Sequence, residues 1–563
     1  MEETNQGAIA KANGISPLVT ILDDGTETAH QHAADALARL AIGHTDNQMQ
    51  IAKHCVALLA NQSSGAQRRA ARVLRDLAAE NHDSPVVIVN AGAISPLVTL
   101  LTTCAADVKE EAAGALSTLS YNSPSTQLAI ASGLVVLVGT GSAEAQEQVT
   151  ALLLRLAHDP VNCVAIAKAG AIQRLVVQLR GGGRTSVRSQ ELAAAVLSYL
   201  SALEECNKAI TAANGVRPLV AMLTTGTPAA QAHAATVLSD LARSSSRNQK
   251  QIISEGGVTP LVTLLSKENK PKAKAEAAGA LLALSSGQPS TQKLVADAGA
   301  LKALVALLNE EDEVCLKKAA GAIGALCNES VENQDAVEKN KGIGKLVGLL
   351  KNPDLPDDVS AEACVAVAVL AKGHQKNQEK VMAAGGIEPL VALLKNEQDE
   401  ATQAEEAEEN RSATEAASAL WSLASGSPTN QVAIADANGI ARLVALLGNG
   451  SARAQDQAAG ALAALALNNV KNELAIAQMI VTLLGSGDSA ASAKAARAIS
   501  KLARAHKSNQ RSIANAGGVA LLVNLLVGGT DEGIELVQKE MASAIWSMAE
   551  HNEDNQVRAP HCV

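Results

Sequence analysis

The sequence predicts an all-α solenoid, a stack of short helical units, and three observations carry that prediction. A phrase of the form Asn-Gln-x-x-Ile-x-x-Ala-x-Gly-Ile-x-Pro-Leu-Val-x-Leu-Leu recurs from one end of the chain to the other. Its first position falls at Asn5, Asn47, Ser84, Thr126, Asn162, Asn207, Asn248, Thr291, Asn333, Asn377, Asn430, Asn472, Asn509 and Asn555, in steps of 36 to 53 residues, most of them 41 to 46. Composition agrees: Leu, Ala, Val and Ile supply nearly all the apolar content, Phe is absent, and the large aromatics are Trp421, Trp546, Tyr121 and Tyr199. A chain of 563 residues exceeds the roughly 250–300 that one core can serve, and a copied unit that lacked Phe explains how it grew.

Each unit reads as three helices. The opening Asn, Ser or Thr is placed to cap a short first helix, as Asn430 stands ahead of Val432-Ala433-Ile434-Ala435. Glycine then stops it: Gly14, Gly92, Gly215, Gly257, Gly386 and Gly439 mark a sharp turn that glycine takes without steric cost. Pro17, Pro96, Pro218, Pro260 and Pro389 follow three or four residues on, in the first turn of a second helix where no N–H is needed, and Ser16, Ser95 and Thr259 are ready N-caps before them. A polar loop such as Asp23-Asp24-Gly25-Thr26 leads to a longer third helix, read in Ala458–Ala466, whose apolar spacing suits burial on most sides.

The period matches the roughly 40–47 residues of armadillo or HEAT repeats and exceeds that of ankyrin or tetratricopeptide units. With its Gly-Gly-Ile-x-Pro-Leu-Val turns, the chain resembles the armadillo family, particularly the arrays of plants and protists and vacuolar-protein-8-like proteins. The resemblance implies a right-handed α-solenoid superhelix of about thirteen three-helix repeats spanning residues 1–563 as one continuous array. It also implies that third helices line a concave groove that holds extended peptides or partner surfaces.

Three units depart from the pattern. Those opening at Asn47, Thr126 and Asn472 lack about five residues around the Gly-Ile-x-Pro turn. Either their first and second helices merge, which would alter the local curvature, or the gene model has lost residues. The longest step is explained by an acidic insertion at 396–411 between second and third helices, read as a solvated loop, with an acidic lip that docks a basic partner as the functional alternative. The chain opens a repeat almost at once and breaks off in a truncated or frayed end at 555–563. Stacks usually end in polar capping units, so either these ends stand uncapped or the chain is a fragment of a larger protein.

The face of the third helices follows a register. In importin-alpha-like relatives the third helices carry a Trp and, four residues later, an Asn, which together hold a localisation peptide. At the Trp position here only Trp421 and Trp546 match, and at the Asn position only Asn328, which lacks its Trp. Tyr121, His158 and Ser425 also fall at the Asn position, and Arg75, Arg243, Lys372 and Arg504 make a broken basic stripe along the same face. These ten residues form the candidate partner-binding groove, with the two tryptophans as anchors of the kind that dominate interfaces.

Catalytic signatures are missing. No phosphate-loop, His-Glu-x-x-His or Gly-x-Ser-x-Gly motif occurs, and Gly181-Gly182-Gly183 reads as an inter-helix link. His30-x-His32 and His54-Cys55 have too few companions for zinc, so no cofactor or metal is expected. The eight cysteines lack framework spacing and read as small buried hydrophobes in a reducing compartment. A net charge of −10 disfavours a general nucleic-acid binder. No apolar run reaches a membrane span and the amino terminus lacks a secretory pattern, so a monomeric cytoplasmic or nuclear protein is expected. The leading expectation is a non-catalytic scaffold that binds protein or peptide partners. The alternatives are the substrate-recognition part of a ubiquitin ligase whose U-box lies outside this chain, and a nuclear transport adaptor.

Overall fold

A computed structural model of the chain describes all residues except 1, 81–83, 104, 121–123, 141–142, 183–184, 267, 287–288, 395–410, 486–488, 506, 528–533, 551 and 553–563. Among the described residues every regular element is an α-helix, and the chain divides into two compact units, Met1–Leu264 and Leu265–Val563. Each is a stack of helical repeats. The acidic insertion at 396–410 and the end at 555–563 lie outside the described residues, and Arg411 opens a third helix, Arg411–Ala424.

An ordinary repeat of the first unit runs Glu204–Ala212, Val216–Thr225 and Pro228–Ser244; one of the second runs Pro428–Asp436, Gly439–Asn449 and Ala452–Ala466. Leu, Ile, Val and Ala supply the buried apolar side chains, with Leu37, Leu74 and Leu116 among the largest that are fully enclosed. Each enclosed leucine contributes on the order of 2 kcal/mol of transfer free energy. Pro17, Pro96, Pro218, Pro260 and Pro389 all occupy the third residue of their second helices.

The turn between first and second helices works differently from its sequence reading. Of the six glycines expected to adopt left-handed dihedrals only Gly92 does, with φ +86°. Elsewhere the left-handed residue is the one before: Asn13, Asn214, Gly256, Gly385 and Asn438. The following glycine is needed for closeness, because a Cβ on Gly14, Gly215, Gly257, Gly386 or Gly439 would stand 2.6–2.8 Å from the branched side chain five residues earlier. Backbone hydrogen bonds close the turn in the Schellman manner, Asn13 N–H to Ala10 O and Gly14 N–H to Ile9 O, both 2.9 Å. Ser16, Ser95 and Thr259 are not caps. They lie inside helices that begin at Ile15, Ile94 and Val258.

The opening Asn is also not an N-cap. The first helix at Asn430 begins at Pro428, and Ser427 caps it by accepting from the Asn430 amide. Ser330, His374 and Asn469 serve the corresponding helices in the same way. The asparagine is buried one turn in, and its Nδ2 donates backwards to the carbonyl seven residues earlier, in the last turn of the preceding third helix. Asn47, Asn248, Asn333, Asn377, Asn430, Asn472 and Asn509 all make this bond, to Leu40, Leu241, Leu326, Leu370, Leu423, Leu465 and Leu502, at 2.6–3.2 Å. Thr126 makes it through its hydroxyl to Leu119 at 2.7 Å. A helix leaves its last four carbonyls without intrahelical partners, and the motif supplies one.

The neighbouring glutamine extends this. Gln48, Gln127 and Gln249 donate to the next carbonyl of the same third helix. Gln292, Gln334, Gln378, Gln431 and Gln510 instead reach the third helix of the following repeat, for example Gln431 to Ala464 O at 2.9 Å. The Asn-Gln pair is therefore a staple within and between repeats.

The three short units contain single helices, Thr45–Leu59, Pro124–Thr140 and Val470–Leu484, each replacing a first and second helix. Without the Gly-Pro turn nothing interrupts their backbone, and Gly133 sits in mid-helix, where a Cβ would be 3.2 Å from Ile94. The merger has a consequence for the stack. Ser64–Glu80 and Ala106–Leu119 pack along most of their length, whereas third helices flanking a merged helix, such as Glu27–Ala41 and Ser64–Glu80, touch over a much shorter stretch.

Candidate functional site

The third helices carry the candidate residues in each unit, and what surrounds those residues was not visible in their spacing. In the first unit Arg75 is not a free cation. Its Nε lies 3.2 Å from Asp76 and its guanidinium also pairs with Glu111 of the next third helix. Arg243 pairs with Asp240 at 2.5 Å and donates to Ser239 Oγ at 3.3 Å. His158 is exposed and meets the ring of Tyr199 edge-on, the centroids 4.7 Å apart. Tyr121 lies outside the described residues.

In the second unit Asn328 and Lys372 are exposed residues ending their third helices. Gly324, at the Trp position belonging to Asn328, is buried, with Ala366 Cα 3.5 Å from where a Cβ would be. Trp421 is 41% exposed and lies across Gly460 of the neighbouring third helix, its ring atoms 2.5–2.7 Å from where a Cβ would stand. Ser425 Oγ donates to Trp421 O at 2.8 Å, which commits the hydroxyl to its own backbone. Trp546 is 56% exposed, with the Arg504 guanidinium 5.2 Å above its ring in a cation–π contact. Arg504 Nε also donates to Ser547 Oγ at 3.2 Å.

Within the basic stripe Arg75 and Arg243 are thus ion-paired, Arg504 lies over Trp546 and Lys372 is exposed, and beside the stripe runs a ladder of charges that spacing alone did not reveal. Six residues before the Trp position stands a glutamate on several third helices: Glu111 in the first unit, and Glu276, Glu362, Glu415 and Glu540 in the second. All five are largely shielded and each meets a cation of a neighbouring third helix. Arg75 meets Glu111; in the second unit the pairs are Lys318–Glu276 at 3.0 Å, Arg411–Glu362 at 2.7 Å, Arg453–Glu415 at 2.6 Å and Arg497–Glu540 at 3.0 Å. In the first unit hydroxyls also meet acids, Ser186 with Glu147 at 2.8 Å and Thr227 with Glu191 at 2.6 Å.

Glycine recurs three residues before the Trp position and gives a side chain a place to lie. Gly114 underlies Arg75, Gly279 underlies Lys318, Gly321 underlies Glu362 and Gly460 underlies Trp421. A mid-helix glycine costs about 1 kcal/mol against alanine, so its recurrence at one register position was the available signal.

The six described cysteines, Cys55, Cys163, Cys206, Cys315, Cys327 and Cys364, are buried and free of disulfides. Burial pushes the Cys55 and Cys327 thiols up to about 12, away from the reactive thiolate. Among the described residues no group of three or more His, Cys, Asp or Glu is placed to hold a metal ion, and no single helix is long and apolar enough to cross a membrane.

The armadillo/beta-catenin-like repeat family matches at residues 81–121, 245–286, 288–327 and 427–466. Among solved structures the chain is similar to an engineered protein, Northeast Structural Genomics Consortium target OR497, at 30% identity and a TM-score of 0.51, over 88% of this chain and 98% of that one. A second engineered protein, target OR329, matches at 32% identity with a TM-score of 0.41, over 45% of this chain and 96% of that one. The search of curated proteins returned no match.

Proposed function

We propose that this chain, which belongs to the armadillo-type repeat family, is a non-catalytic scaffold that binds protein segments along the faces of its third helices. Armadillo repeats generally mediate protein–protein interaction; the finer reading concerns where and how. The observation that carries it is the pair of tryptophans in the second unit, 41% and 56% exposed on third helices. Trp421 is held by Gly460 and Trp546 by Arg504, so each presents a ring in a fixed position and loses little freedom when a partner covers it. The glutamates of the ladder are shielded and each is paired with a more exposed cation, which suits them to complementarity more than to anchoring.

The test is crosslink mapping on purified complexes of the full chain with a captured partner. Crosslinks are expected at Lys317, Lys372 and Lys501 of the third-helix face, in preference to Lys250, Lys293 and Lys376 of first helices. Replacing Trp421 and Trp546 by alanine should weaken the complex by about 2 kcal/mol each. Crosslinks confined to the first helices, with affinity indifferent to both tryptophans, would remove the reading.

A further inference from the structure

First helices carry a surface of their own. The residues two before and two after the opening Asn lie one turn apart on the same face of the helix. In three successive repeats of the second unit they read Pro428 and Val432, Val470 and Leu474, then Lys507 and Arg511, the last pair on Lys507–Asn515. Side-chain bonds next to these residues hold the helices together: Asn472 Nδ2 donates to Gln431 O at 3.2 Å, and Ser512 Oγ donates to Glu473. Val470 is 78% exposed and Leu474 50%, with Val432 and Leu467 exposed beside them. Lys507 and Arg511 are exposed too, and neither forms an ion pair among the described residues.

We propose that this edge receives an amphipathic α-helix of a protein partner, apolar along one stripe and acidic in the turns that follow. The surface is separate from the third-helix face and goes beyond the reading above. Single apolar side chains on a surface need no explanation, whereas a contiguous group bordered by charge marks a docking site. The repeat itself does not require aliphatic residues there. Lys293, Asp335 and Glu379 hold the position of Val432 and Leu474 in other repeats.

Spacing selects a helix as the occupant. Packed helices lie roughly 8–10 Å apart, and an α-helix rises about 10 Å in seven residues. Apolar residues at heptad spacing therefore fall over Val432 and Leu474, and a carboxylate one heptad later falls over Arg511. An extended segment presents the same side about every 7 Å and runs out of step. Charge selects its sign and direction. Lys507 and Arg511 close one end of the apolar group, and Asp436 and Glu379 stand at the other, so an acidic tail is drawn to the first and repelled from the second. Glu473, beside Leu474, is engaged by Ser512. An anionic lipid surface is disfavoured by the net charge of −10. In the first unit the same register carries Val86, Leu128 and Val164, also exposed, but Glu205 stands in the next repeat where Lys507 stands here.

The experiment measures fluorescence anisotropy of labelled helical peptides, about 22 residues long, titrated with the full chain. One has leucines at heptad spacing followed by two turns rich in glutamate. A second has lysine for those glutamates, and a third has glutamine for the leucines. The expected result is saturable binding of the glutamate peptide, about tenfold tighter than either of the others. Val470→Asp with Leu474→Asp should abolish it. Lys507→Glu with Arg511→Glu should invert the preference in favour of the lysine peptide, a gain that misfolding cannot mimic, and Leu128→Glu should leave binding unchanged. Equal binding of the two charged peptides, loss of binding with Leu128→Glu, or no saturable binding would each overturn the proposal. So would cosedimentation with phosphatidylserine vesicles, or a dimer, that the Val470 and Leu474 substitutions abolish, because a lipid surface or a second copy would then be the occupant.

Discussion

The bond from Asn430 to Leu423 O offers the sharpest test of how the repeats hold together. Asn430 is fully buried; its Nδ2 donates to that carbonyl at 3.0 Å, while its Oδ1 has no hydrogen-bond partner. The donor is therefore the part that matters, and three substitutions separate its contributions. Asn430→Ala removes it and leaves a last-turn carbonyl without a partner, which costs about 2 kcal/mol. Asn430→Thr restores a donor in the geometry already seen at Thr126, where the hydroxyl reaches Leu119 O at 2.7 Å, so it should cost under about 1 kcal/mol. Asn430→Asp keeps the shape but sets an acceptor against the carbonyl, or a proton taken up to avoid burying a charge, at about 3 kcal/mol or more. Urea unfolding followed by circular dichroism would rank them. Because each repeat contacts only its neighbours, amide exchange should quicken first in Arg411–Ala424 and Pro428–Asp436. The reasoning fails if the alanine variant matches the threonine one, or if aspartate is no worse than alanine.

Gly460→Ala should force the Trp421 ring off its platform, since the new methyl would stand 2.5 Å from ring carbon Cε3. The expected net cost is about 1–2 kcal/mol, overpacking outweighing the gain in helix propensity, with red-shifted Trp421 fluorescence in a W546F background. Lys274 is 3% exposed and bonded to Glu310 at 3.0 Å. Glu310→Ala, which strands a buried ammonium, should therefore cost about 3 kcal/mol by urea unfolding, while Lys274→Met should stay within about 1 kcal/mol. The cysteines predict an alkaline limit. Burial raises Cys55 and Cys327 from 9.0 to about 12, so the unfolded chain loses these protons first and stability should fall as pH rises from about 9 towards 12. Thiol labelling of both at pH 8 should require unfolding, and rapid labelling of the folded chain would refute their enclosure.

Much of the local architecture was legible. The recurring phrase located first and second helices, the prolines located the first turns of the second, and the missing Gly-Pro turns marked the helices that merge. The errors came from reading each polar residue against its nearest neighbours. Asn430 stands where a cap belongs, but a serine three residues earlier takes that role and the asparagine turns to the previous helix. Five of the six turn glycines are required by a branched side chain five residues away, not by their own dihedrals. The candidate groove was legible only as a register. The Trp and Asn positions could be counted, whereas the glutamates six residues earlier carry no motif of their own and are recognisable only once third helices are set side by side.

By itself the sequence determined that this protein is a stack of helices, because periodicity, turn residues and caps act over a few residues and each unit repeats the same solution. Tertiary structure alone decided which charges are free. The pairs Arg75–Glu111 and Arg411–Glu362 join residues 36 and 49 positions apart, and their meeting depends on how each third helix is rotated against the next. The same rotation lays Trp421 on Gly460. Neither is written in linear spacing, since a helix fixes where its own side chains point but not what another helix brings to meet them.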